Sequence, residues 1–130
     1  MASRSGRLST RPDTGRRAEA LAAALLEQAG LRIVERNWRR PEGEIDLIAD
    51  DAGTCVFIEV RSRTGDQQGD PLESITPRKR ARVIRSARLY LDSAPTRAGG
   101  YRFDVVGVTF PADGGQPILS HIRDAFDLSR

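Results

Sequence analysis

The sequence predicts an α/β fold: a mixed sheet of four to five strands flanked by two helices, in the order helix, three strands, helix, strand, strand. Three observations carry that reading. Apolar residues recur at helical spacing before residue 30 and again between 77 and 92. The stretch between them alternates polar with apolar residues and is split by a short Asp/Gly turn. A further apolar run, YRFDVVGVTF, follows the second helix and reads as another strand.

The elements follow in order. The first helix spans about Gly15 to Ala29, where Ala18, Leu21, Ala22, Leu25, Leu26 and Ala29 form one apolar stripe. Asp13 or Thr14 can cap its start, and Gly30 stops it. LRIVERNW reads as a short strand ending near Trp38. GEIDLIAD then sets Glu44, Asp46 and Ile48 on one face and Ile45, Leu47 and Ala49 on the other. Beyond the turn at 50–53, TCVFIEVRSR places Cys55, Phe57, Glu59 and Arg61 together, against Val56, Ile58 and Val60. A Gly/Asp/Gln-rich loop covers 64–71. The second helix runs from about Pro77 to Asp92 with Val83, Ile84, Ala87, Tyr90 and Leu91 as its apolar face. Strand 101–110 follows, and ILSHI reads as a last, edge strand.

Length and composition bound the function. A chain of 130 residues is one domain's worth, and 38% hydrophobic with 30% charged residues describes a globular chain with a polar surface. Residues 1–13 read as a flexible arm and 14–130 as a single domain. No run approaches the roughly 20 apolar residues of a membrane span. The first residues carry cations without an apolar core, unlike a secretory signal, so the expectation is a cytoplasmic protein with no membrane partner. Cys55, the only cysteine, leaves no internal disulfide and no cysteine-based zinc site. His121, the only histidine, removes His-rich metal sites and most triad chemistry.

Net charge is +3, from 21 cations and 18 acids, but its distribution is uneven. Arg78, Lys79, Arg80, Arg82, Arg85 and Arg88 follow one another with no acid between them. At about 100° per residue, Arg78, Arg82 and Arg85 lie opposite the apolar face, with Lys79 and Arg88 on its flanks. Such a face suits a nucleic acid, DNA or RNA, or another polyanion. It equally suits plain solvation in a chain where 20 of the 21 cations are arginine.

The acids are more informative. Asp46 stands between Ile45 and Leu47, and Glu59 between Ile58 and Val60. If the turn pairs their strands, Asp46 lies opposite Phe57 or one pair further along, and either register puts Asp46 and Glu59 on one face. Two adjacent carboxylates repel unless a cation or a shared proton intervenes. Oxygen-only donors point to Mg²⁺ or Mn²⁺ rather than zinc. Arg61 and Glu44 project from the same face. Glu19, in the first turns of helix one, can point at the sheet, although an acid near a helix N-terminus also gains from the macrodipole alone. Strand acids paired with the abundant arginines remain the plainer alternative.

Gly43-Glu44-Ile45-Asp46, followed about a dozen residues on by Phe57-Ile58-Glu59-Val60-Arg61, resembles the PD-(D/E)XK nuclease signature. More narrowly, GRRAEALAAALLEQAGLRIVERNWRRPEGEIDLIA, VFIEVRSR, KRARVIRSARLYL and YRFDVV together resemble the bacterial YraN family, over about residues 15–109. The resemblance implies a restriction-endonuclease-like core, with Asp46 and Glu59 as metal-binding acids and Glu19 as the helical acid completing the site. Lys79 matches a lysine of the family's second helix. The superfamily's general chemistry has the ion polarise the scissile phosphate and acidify a water. The chain departs from the motif at Arg61, where the superfamily carries a lysine. Arginine stabilises a phosphate but stays protonated and cannot act as a general base. Arg61 then acts purely electrostatically, or Lys79 supplies the amine, or the protein binds nucleic acid without cutting it.

The leading expectation is therefore a metal-dependent endonuclease-like phosphodiesterase acting on DNA or RNA, on a structured or damaged form, with Glu19, Asp46, Glu59, Arg61 and Lys79 as its catalytic set. The alternatives are a catalytically weak or inactive nucleic-acid-binding module on the same fold, held by Arg78, Arg82, Arg85 and Arg88, and a small protein whose basic face meets an acidic partner. Convergent carboxylates weigh against both alternatives, because without metal they repel phosphate. No aromatic platform for bases is evident, Trp38 being the only tryptophan.

Overall fold

Strand alternation and the two helical stripes sort the apolar residues into two cores, one on each face of a single five-stranded sheet. The computed structural model describes residues 10–65, 71–93 and 99–126. Its elements are α1 (Thr10–Gln28), β1 (Arg32–Arg40), β2 (Gly43–Asp51), β3 (Thr54–Thr64), a 3-10 turn (Pro71–Ser74), α2 (Pro77–Ser93), β4 (Tyr101–Phe110) and β5 (Ile118–Phe126). The strands lie in sequence order, β1-β2-β3-β4-β5. All neighbours are antiparallel except β3 and β4, whose parallel pairing is made possible by the crossover through α2. The expected α/β architecture, a mixed sheet flanked by two helices and consistent with a restriction-endonuclease-like core, is the one observed.

Helix α1 covers one face. Its small residues Ala18, Ala22 and Ala23, with Leu26, let it sit close over Leu47, Ala49, Val56, Ile58, Val106 and Val108. Helix α2 covers the other with Val83, Ile84, Ala87 and Tyr90, packed against Ile48, Phe57, Phe103 and Val105. Tyr90 meets Phe57 edge-on at 5.8 Å between ring centroids, and Phe57 stacks on Phe103 at 5.5 Å. Thr76 caps α2 by accepting the Lys79 backbone N–H at 3.2 Å, and Pro77 occupies the first helical position as its sequence suggests. Strand β1 lies at one edge, with Arg32, Glu35, Arg36, Arg39 and Arg40 exposed along it.

Three details differ from expectation. α1 begins at Thr10, inside the segment read as a flexible arm; Pro12 is tolerated because first-turn N–H groups have no intrahelical partner. Residues 1–9 lie outside the described residues, as do 66–70 of the expected loop. Face alternation in β2 breaks at Asp46: Ile45 joins Ile48 in the α2-side core, while Leu47 and Ala49 pack under α1. The pairs Trp38↔Ile45 and Arg36↔Leu47 bracket Asp46 and Asn37, and Asn37 is left-handed (φ 52°), a conformation that Asn tolerates and that turns both strands at this point. Finally, β5 continues past Ile122 to Phe126 through a bulge.

That bulge is organised by a carboxylate that no local sequence pattern marks out. Asp104 is fully buried and accepts Arg102 through Nε at 3.0 Å, His121 Nε2 at 2.8 Å and the Asp124 backbone N–H at 3.0 Å. Asp124 is left-handed (φ 53°) at the point where the β4–β5 register shifts. Arg102 also reaches Asp51 at 2.7 Å, tying the sheet's far edge to the β2–β3 turn. Burial alone would raise the Asp104 carboxyl, but the hydrogen bonds from Arg102, Asp124 and His121 hold it below its ordinary value. Replacing Asp104 with Asn leaves Arg102 facing a neutral group inside the sheet, so Asp104→Asn is expected to lower unfolding free energy by about 3 kcal/mol. Urea unfolding at neutral pH reads this directly, and a change within about 0.5 kcal/mol would mean the network adds nothing beyond packing.

Candidate metal and nucleic-acid site

The site forms where β2 leaves β3. Their ladder runs from Asp51↔Thr54 to Leu47↔Ile58; beyond it Gly43–Ile45 pairs with β1 and Glu59–Thr64 with β4. Continuing the register by one pair sets Asp46 opposite Glu59. There the Asp46 carboxylate takes over from the ladder, its Oδ2 accepting the Val60 backbone N–H at 2.8 Å. The start of β2 lies against α2 so closely that a Cβ at Gly43 would collide with the Ser86 side chain. Ser86 is itself buried and folded back, its hydroxyl donating to the Arg82 carbonyl at 2.9 Å.

Between the β1–β2 turn and α2 opens a cleft of about 400 Å³. Glu42, Glu44 and Glu59 supply its acids; Arg40, Lys79, Arg82 and Arg85 supply its cations. Arg40 is braced with its guanidinium carbon 4.8 Å from the Trp38 ring centroid, a cation–π contact, while Trp38 itself is buried in the core. Asp46 and Arg61 adjoin the cleft through Glu59 rather than lining it. The Arg61 NH1 lies 3.7 Å from Glu59 Oε2, and its Nε donates to Ser74 Oγ at 3.0 Å.

Both strand acids resist ionisation. Burial pushes Glu59 up to about 7, and the Asp46 charge adds to the shift against the opposing pull of Arg61 and Lys79. Asp46 is pushed up to about 6, chiefly by burial and further by Glu19 and Glu44, although the Val60 N–H and Arg61 oppose this. The two carboxylates share one electrostatic environment, and a cation between them would relieve it.

The predicted residues are distributed as follows. Asp46, Glu59, Arg61 and Lys79 come together at the β2–β3 divergence and the first turn of α2. Glu19, half-buried on α1, acts on Asp46 from the opposite side of the sheet. Among the described residues no three His, Cys, Asp or Glu side chains form a ready-made metal cage, so Glu19 stands as a neighbour of Asp46 rather than as the third member of a closed cluster. Arg82 and Arg85 line the cleft; Arg78 and Arg88 are exposed on α2 outside it. Arg40 and Ser74 were not anticipated. Arg40 stands next to the GEID turn and had that much signal, whereas Ser74 had none.

Sequence comparison gives this arrangement a family. The profile of the uncharacterised protein family UPF0102 matches residues 18–108. The chain belongs to the UPF0102 family. A UPF0102 protein of Clavibacter michiganensis is 48% identical over 113 residues, covering 87% of this chain and 95% of the relative. One from Nitrosococcus oceani is 45% identical over 122 residues, covering 90% and 94%. A third, from Syntrophus aciditrophicus, is 42% identical over 116 residues, covering 89% and 90%. The UPF0102 match runs from the middle of α1 through most of β4, and so includes Glu19, Asp46, Glu59, Arg61 and Lys79.

Raised carboxyls make stability depend on pH. The folded chain binds protons at Asp46 and Glu59 that the unfolded chain, with ordinary values near 3.8 and 4.5, has already released. Stability therefore rises as pH falls through the folded values, from about pH 8 towards pH 5, by something of order 2 kcal/mol. Below about pH 4, Asp104 works in the opposite sense, since its depressed carboxyl loses its partners on protonation. Thermal melts in EDTA should show a melting temperature that climbs over that window in the wild type and is flatter in the Asp46→Asn/Glu59→Gln double variant. A wild-type curve as flat as the double variant's would remove the electrostatic description of the site.

Proposed function

We propose that this UPF0102 chain is a divalent-metal-dependent phosphodiesterase acting on DNA or RNA. The observation that carries the reading is the convergence of Asp46 and Glu59, two half-buried and mutually repelling carboxylates, beside a cleft to which Arg40, Lys79, Arg82 and Arg85 bring four cations. A site built only to hold phosphates would gain nothing from acids there.

The donor set fits Mg²⁺ or Mn²⁺. It offers oxygens only, and one Asp46 oxygen is tied to Val60 while the carboxylate retains a second. Two carboxylates with waters and substrate oxygens completing the shell is an ordinary arrangement for Mg²⁺. Asp46 and Glu59 would hold the ion, with Glu19 adding negative charge behind Asp46. Bound there, the ion supplies Lewis-acid stabilisation to a phosphodiester under attack. The chain's own part is electrostatic and positional. Lys79, Arg82, Arg85 and Arg40 attract and align a phosphate backbone. Arg61 sets a permanent cation beside Glu59, where negative charge would develop. Lys79, close enough to act on Glu59, is the amine that can give or take a proton.

One observation favours a second reading. Arg61 cannot accept a proton, so a module that binds nucleic acid without cleaving it uses the same cleft and the same cations.

Calorimetry with Mn²⁺ should show binding that Asp46→Asn or Glu59→Gln abolishes; unchanged binding in both variants rules the metal site out. With single-stranded, duplex and branched DNA and RNA as substrates, cleavage should require Mg²⁺ or Mn²⁺ and be retained or raised in Arg61→Lys but lost in Arg61→Ala. Binding without cleavage in both wild type and Arg61→Lys would decide for the second reading.

Replacing Arg78, Arg82 and Arg85 together should weaken nucleic-acid binding and flatten its log–log salt dependence by roughly 0.9 per lost duplex contact. Fold stability should stay within about 0.5 kcal/mol, because all three are exposed. The same salt slope in the triple variant would mark the face as solvated surface only.

A further inference from the structure

The arginine that stands where the motif carries lysine is gripped from the side. Arg61 Nε donates to Ser74 Oγ at 3.0 Å, and the Ser74 hydroxyl spends its own proton on the Pro71 carbonyl at 2.6 Å. The hydroxyl is thereby fixed as an acceptor facing Arg61. The 3-10 turn that carries Ser74 is seated in turn against β4, where Gly107 leaves room for the Pro71 ring; a Cβ at 107 would collide with it. Gly107 pairs with Arg61 in the β3–β4 ladder, so the same rung of the sheet supplies both the arginine and the seat for its holder.

We propose that Ser74 is a positioning residue for Arg61, fixing its guanidinium so that the remaining donors are presented to an anionic phosphate oxygen beside Glu59. The chemistry is specific to arginine. A guanidinium can be held through Nε while its outer nitrogens stay available, whereas a lysine has no side donor to hold it by. NH1 lies 3.7 Å from Glu59 Oε2, close enough to feel the carboxylate but too far for a hydrogen bond. Among the described residues no other hydrogen bond engages the Arg61 side chain. Burial adds to the effect, since the Arg61 side chain is 29% exposed and Glu59 18%. The anion-presenting role rests on the phosphodiesterase reading, whereas the hold on Arg61 does not.

The test has two arms, on the full chain. In ¹⁵N–¹H spectra, the Arg61 Nε–H should exchange with water about tenfold more slowly than the Nε–H groups of exposed arginines, as expected for a committed donor. That protection should vanish in Ser74→Ala and return in Ser74→Thr, which restores a hydroxyl. The second arm measures anisotropy of a fluorescein-labelled single-stranded DNA of about twelve nucleotides in EDTA at low salt. Ser74→Ala should weaken binding about threefold, and should have no further effect when Arg61 is already alanine. An Arg61 Nε–H that exchanges freely, or whose protection ignores Ser74, overturns the hold. An equal loss of binding in both backgrounds overturns the anion role, because Ser74 would then act only through the shape of its turn. If the wild type binds no oligonucleotide and cuts none, the phosphodiesterase reading and the anion role fall together, while the spectra still decide whether Ser74 positions Arg61.

Discussion

A single hydrogen bond, from the Val60 N–H to the Asp46 carboxylate, marks the point on which the site depends. Two antiparallel strands that stayed paired throughout would leave no room between them and no acid facing inward. Here β2 joins the β3 ladder only from Leu47 onward, and the N–H left unsatisfied before that point is taken by a side chain instead of a backbone carbonyl. The divergence lets Gly43 and Ser86 come together, brings the first turns of α2 over Glu59, and leaves a cleft in place of a closed ladder. The left-handed backbone of Asn37 on the neighbouring strand accommodates the same turn.

The fold places fully buried Asp104 and the half-buried pair Asp46 and Glu59 under opposite regimes. Asp104 is surrounded by donors and stays ionised, so it works as a clamp between β4, β5 and the β2–β3 turn. Asp46 and Glu59 are under-compensated, with more burial and like charge than donors to answer it. The contrast separates a structural carboxylate from one kept in tension, and tension is what a bound cation would relieve. The well-packed aromatic core under α2, with Tyr90, Phe57 and Phe103 in mutual contact, supplies the rigidity that holds such a pair in place.

Much of this was legible in the chain because it is local. The alanine and leucine stripe announced α1, the Val83-Ile84-Ala87-Tyr90 stripe announced α2, and acids embedded between Ile and Val residues exposed Asp46 and Glu59. Features set by distant residues were not. Asp104 alternates politely within YRFDVV, and its role appears only when His121, 17 positions away, and Asp124, 20 away, are brought beside it. Arg102 finds Asp51 across 51 positions. The clean alternation assigned to GEIDLIAD failed at Asp46 because strict alternation presumes a flat, continuous ladder, and this strand changes partners midway. Residues 1–13 read as an arm because they are polar and carry no apolar stripe, a pattern that gives no sign of the helix beginning at Thr10.

The charged edge strand has a consequence for how the molecule behaves in a crowd. An open sheet ends in two unpaired edges, each a template on which a stray strand could grow. Along β1 that invitation is withdrawn by Arg32, Arg36, Arg39 and Arg40, whose like charges would confront one another in any edge-to-edge copy, and by the twist at Asn37. Along β5 the bulge at Asp124 interrupts the row of free backbone groups. The borders of a doubly covered sheet are thus blunted without a barrel's closure, by like charge on one side and irregularity on the other.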